Sequence, residues 1–140
     1  VKLAVALLFA FVAVASADDF KPYYGKIVIT KLAPPKTAGE LPAHLAANVS
    51  KDGTYELIGG SPWDMNLVAV LSKETTGTAT LEFVEDGKAM HTLEVTAKGR
   101  LVVAHAQATI AAGFAAHKTY TLRIKLGEAV LAKAELFLRE

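Results

Sequence analysis

Five segments in the second half of the chain alternate apolar and polar residues with a period of two. In residues 78–84 (TATLEFV), Ala79, Leu81 and Phe83 face one way and Thr78, Thr80 and Glu82 the other. In 88–96, His91 shares a face with Ala89, Leu93 and Val95. In 100–110, Val102, Ala104, Ala106, Ala108 and Ile110 oppose His105, Gln107 and Thr109. In 119–126, Tyr120, Leu122, Ile124 and Leu126 oppose Thr119, Thr121, Arg123 and Lys125. In 129–139, Val130, Ala132, Ala134, Leu136 and Leu138 oppose Lys133, Glu135 and Arg139. A period of two belongs to pleated strands; a helix would repeat every 3.6 residues. Earlier in the chain, 26–32 (KIVITKL) and 54–58 (TYELI) read as strands, and 65–72 (MNLVAVLS) is apolar on both faces, as a covered central strand would be.

Short turns separate these runs, at Asp52-Gly53, Thr76-Gly77, Asp86-Gly87, Lys98-Gly99 and Gly127-Glu128. Gly127 supplies the positive φ that a two-residue hairpin turn needs. Residues 33–41 (APPKTAGEL) form a loop, because two prolines remove ladder donors. Residues 45–50 fit a strand paired with 54–58 across Lys51-Asp52-Gly53, while 43–48 (AHLAAN) equally fit a helical turn after Pro42. The expectation is an all-β, antiparallel sandwich of about seven or eight strands.

Residues 110–126 (IAAGFAAHKTYTLRIKL) combine a strand end, a Gly-containing corner and a tyrosine opening the next strand. This resembles the E–F corner of immunoglobulin-like and fibronectin type III-like sandwiches. The resemblance covers about residues 100 to 138. It implies that the Tyr120 hydroxyl bonds back to the corner backbone. The cysteine pair and strand-C tryptophan of antibody domains are missing, and a fold shared by many functions carries no functional residue across.

Composition changes the picture at the N-terminus. The chain has 140 residues and a net charge of +1, but its first 17 residues (VKLAVALLFAFVAVASA) hold one charge, Lys2. A positive start, an apolar run from Leu3 to Val14 and an Ala15-Ser16-Ala17 site before Asp18 describe a cleaved signal peptide. The run is short for a membrane anchor, which needs about 20 residues. The expected organisation is therefore a leader at 1–17, an N-terminal arm at 18–25 and one β domain at 26–140. The expected location is periplasmic or secreted, with no stable membrane span after cleavage. The remaining 123 residues balance 14 basic against 14 acidic groups, which leaves no basic footprint for nucleic acid. The lack of cysteine excludes disulfides, thiolate metal sites and thiol catalysis.

The sequence offers little chemistry. His44, His91, His105 and His117 form no metal-ligand spacing, and no metal or cofactor is expected. His91 reads as a satisfied core imidazole; His105 and Glu94 would make a polar site if their strands were neighbours. No G-x-S-x-G or S-x-x-K nucleophile motif is present. Gly59-Gly60-Ser61 precedes Pro62-Trp63 and no helix, so it is no phosphate cradle. The aromatics Tyr23, Tyr24, Tyr55 and Trp63 either form an exposed binding platform or plug the sandwich. The expected function is a non-catalytic binding or accessory module that contacts another envelope or extracellular protein. The alternative is a small-ligand or carbohydrate-binding domain on those aromatics, and an enzyme built from converging His and carboxylates is the third reading.

Overall fold

The computed structural model describes residues 5–7 and 17–140. Most of the leader, including Ala15, lies outside them. Among the described residues the chain is predominantly β. Its strands are β1 (Val5–Leu7), β2 (Lys26–Thr30), β3 (Thr54–Leu57), β4 (Trp63–Val70), β5 (Gly77–Glu85), β6 (Lys88–Ala97), β7 (Leu101–Ala108), β8 (Lys118–Leu126) and β9 (Ala129–Leu138). One helix, α1 (Leu41–Asn48), and two 3-10 turns, Ala17–Tyr23 and Ala38–Glu40, complete the inventory.

The sheet runs β1-β7-β4-β2-β9-β8-β5-β6, with β3 also on β9. A tight turn at Lys98–Leu101 joins β6, at one end, to β7, next to the other end, and the sheet nearly closes on itself like a barrel. The ladder is mixed, which corrects the all-antiparallel expectation. Both β2 and β3 run parallel to β9 and share its second edge in succession. Successive odd-numbered positions of that edge are satisfied in turn. Ser72 N–H donates to Leu131 O, Lys133 N–H to Gly25 O, Glu135 N–H to Gly53 O and Arg139 N–H to Leu57 O, at 2.8–3.1 Å.

Register places Ile29, Leu67 and Ala104 in one row and Ile27, Ala69 and Val102 in the next, all buried. The intervening row, Val28, Val68 and Val103, points to the opposite side and is buried as well. Helix α1 packs on β2, and the 3-10 turn Ala17–Tyr23 packs on β4 and α1. Phe20, Leu41 and Leu45 are buried there. This covering explains why the β4 sequence is apolar on both faces. It also makes residues 18–23 a packed element of the domain.

The hairpins follow turn chemistry. Asp86 and Gly87 both have positive φ, the I′ pattern, while only Gly127 does at the β8–β9 turn, the II′ pattern. Two bulges interrupt the alternation. One lies in β5–β6 after Phe83, and the other in β8–β9 after Ile124. The second bulge inserts Leu131, which is buried, and turns Val130 out to 44% exposure. The strict alternation had placed Val130 on the buried face.

Residues 41–48 resolve as helix: Pro42 sits in the first turn, where its missing N–H costs nothing, and Asn48 Nδ2 closes the last turn on His44 O at 2.8 Å. The corner between β7 and β8 is stitched from within. Ala115 N–H donates to the fully buried Tyr120 hydroxyl at 2.8 Å. Phe114 packs edge-on to Phe83 and Tyr120 and stacks on His91. The His91 Nε2–H donates to Ala112 O, since a carbonyl only accepts.

Two outcomes test these contacts. Tyr120→Phe leaves the Ala115 N–H without its acceptor and should cost about 1–3 kcal/mol in chemical denaturation; a change below the error of the fit would show the corner is held elsewhere. Burial lowers the His44 pKa below its ordinary 6.5. The unfolded chain therefore takes that proton first, and stability should fall as pH drops through 6.5 toward the folded-state value. His44→Gln should flatten this slope; an unchanged slope would assign it to other groups.

Candidate functional site

One pole of the molecule gathers the ends of β2 and β7, the β3–β4 loop and the chain segment after β9. Four hydrogen bonds tie these segments together. Trp63 Nε1–H donates to Arg139 O at 2.7 Å, and Gly60 N–H donates to the same oxygen at 3.1 Å. Ile110 N–H donates to Ser61 Oγ at 3.1 Å, and the Lys31 ammonium donates to Ile58 O. Asn66 Nδ2 adds a fifth, to Lys31 O at 3.1 Å. The loops are therefore pre-ordered.

On this base stand three apolar side chains turned to solvent. Leu32 is 78% exposed, Ile110 65% and Ile58 54%, the highest values for large hydrophobics among the described residues. Singly exposed apolar residues are ordinary. Three on one pole, rimmed by polar groups, are the pattern of an interaction surface. A cleft of about 290 Å³ opens beside Ile58, lined by Lys31, Ile58, Gly59, Pro62, Trp63 and Asp64.

The four aromatics of the sequence reading are not brought together on one exposed face. Trp63 is 2% and Tyr55 8% exposed; both belong to the core. Tyr23 and Tyr24 are half-buried against it, and Arg100 stacks over the Tyr24 ring at 4.1 Å. Tyr24 bridges to Val70, at the far end of β4 from Trp63, about 24 Å away at strand rise. Their hydrophobicity draws these rings inward, so a shared platform does not form.

His105 and Glu94 do not meet, because β7 pairs with β4 and β6 with β5. His105 instead lies 3.6 Å from Asp64, whose carboxylate also accepts from Gln107 Nε2 at 3.0 Å. Both members of the pair are substantially exposed. Among the described residues no cluster of three metal-ligating side chains occurs, and no helix is long and apolar enough to cross a membrane.

The sequence reading missed Leu32, Ile58 and Ile110. Alternation carried all three into strands, Ile110 on the apolar face of 100–110, but β2, β3 and β7 end one or two residues before them and leave these side chains without a core to enter. No protein-family model matches the chain, and no curated protein is similar to it in sequence.

Trp63→Ala should cost about 3–5 kcal/mol, because it opens a core cavity and leaves Arg139 O with one donor fewer. Leu32→Asp should change stability by no more than about 0.5 kcal/mol. Thermal unfolding of the two variants checks both. Equal losses would mean that the pole is packed against something in solution.

Proposed function

We propose that this chain is an exported, non-catalytic β-sandwich module that contacts another envelope or extracellular protein through its apolar pole. The observation that carries the reading is the grouping of Leu32, Ile58 and Ile110 on loops fixed by hydrogen bonds. A rigid apolar patch loses little conformational entropy on binding, which favours a protein partner of matching shape.

The immunoglobulin-like type is part of the proposal. It is supported by the pairing of β2, β4 and β7 on one side and of β9, β8, β5 and β6 on the other, the order of strands A-B-E and G-F-C-C′. It is also supported by the Tyr120 bond to the backbone five residues upstream. Export is supported by the sequence of the leader alone: Lys2, the apolar run and the Ala15-Ser16-Ala17 site. The carbohydrate alternative has less support, since Trp63 and Tyr55 keep their rings in the core.

Two measurements test the reading separately. The N-terminus of the exported protein should be Asp18; a mature chain that retains residues 1–17 removes the export part. The triple variant Leu32→Asp, Ile58→Asp, Ile110→Asp should unfold within a few degrees of the parent and should lose cross-linking to its envelope partner. If parent and variant capture the same proteins equally, the pole is not the contact surface.

A further inference from the structure

A second cavity, also of about 290 Å³, lies where β2 leaves the edge of β9 and β3 arrives on it. Three lysines line it: Lys26 from β2, Lys51 from the loop before β3 and Lys133 from β9. Ile27 and Tyr55 give it an apolar side.

Its charge is unbalanced. Lys26 and Lys133 are directly registered across the parallel β2–β9 contact, where paired residues point to the same face. Like charges in that relation repel and destabilise a sheet. The row continues to Arg123 on β8, the register partner of Lys133. Arg123 is already held by Glu82 at 2.6 Å, and Glu82 also draws Lys125, at 3.8 Å. Glu135, two residues along from Lys133, accepts from Thr121 Oγ1 at 2.8 Å. The one carboxylate lining the cavity is Asp52, and its Oδ1 is taken by Ser50 Oγ at 2.6 Å and Thr54 N–H at 3.0 Å. These hydrogen bonds hold Asp52 below the usual carboxylate range, so it stays ionised. Three lysines thus line a concave site with one carboxylate, whose Oδ1 is held by its own turn. None of the three lysines makes an ion pair among the described residues.

We propose that this cavity binds a small oxyanion, a phosphate- or carboxylate-bearing molecule whose charge bridges Lys26 and Lys133, with Lys51 closing over it. The anion supplies the missing counter-charge of the β2–β9 contact. This site is separate from the apolar pole and does not depend on it.

Thermal unfolding of the purified protein with inorganic pyrophosphate, against sodium chloride of equal ionic strength, tests the proposal. Pyrophosphate at about 100 times its dissociation constant should raise Tm by roughly 5–10 °C. Lys133→Met and Lys26→Met should abolish that rise, while Lys36→Met, on an exposed loop elsewhere, should keep it. In chloride alone, Lys133→Met should melt no lower than the parent, because it removes a repulsion. Glutarate in place of pyrophosphate separates the two anion classes, and a rise with either one that Lys133→Met abolishes supports the site. No rise with either anion, or a rise that survives in both lysine variants, overturns it.

Discussion

Strand β9 has one long hydrogen-bonding edge and no single neighbour that covers it. Backbone groups buried without partners are costly, so the edge has to be satisfied piece by piece. Ser72 takes the first position, Gly25 the next, Gly53 the third and Leu57 the last. Each donor or acceptor comes from a different stretch of chain. The strand that closes the fold is therefore the one that β2 and β3 share, both running parallel to it, one after the other. It also draws the β3–β4 loop down onto Arg139, where Trp63 and Gly60 finish the seal.

Both candidate sites arise from that constraint. Where β2 departs and β3 has not yet arrived, the edge of β9 cannot be covered evenly, and a cavity remains around Lys26 and Lys133. Where β3 ends, its continuation must cross to β4 over the end of the core. Trp63 fills that end, and the residues just outside it, Leu32, Ile58 and Ile110, are left on the surface. The polar face between β8, β5 and β9 behaves differently. Glu82 is shared by Arg123 and Lys125, and Glu135 accepts from the Thr121 hydroxyl, so the carboxylates there have partners on the neighbouring strand.

Much of the fold was legible along the chain because a half-buried strand writes its burial directly as alternation. β5, β8 and the later part of β9 show the pattern residue by residue, and the Asp86-Gly87 and Gly127 turns announce their own geometry. The reading failed where a bulge shifted the phase, as at Leu131 and Val130, since one inserted residue changes backbone pairing without any distinctive side chain. It also stayed open at residues 42–50, where propensity is weak; the helix begins at Leu41, inside the expected loop, and Leu41 and Leu45 take helical form because they pack inward. The site was less legible than the fold. Aromatic rings drew attention as binding groups, yet Trp63 and Tyr55 are the residues with most to gain from burial.

By itself, the sequence determined the β class, most strand positions and the turn types, because these depend on local alternation and on backbone preferences of single residues. The lack of cysteine likewise excludes disulfides and thiolate chemistry. Tertiary structure alone decided which strands are neighbours, and with that every pairing of distant groups: His105 with Asp64 and not Glu94, Lys26 beside Lys133, Trp63 on Arg139. The reason is physical. Alternation records which face of a strand is buried, but the choice of partner is a contest among backbone edges that are equivalent in sequence. That contest is settled only when all the edges compete for the same core.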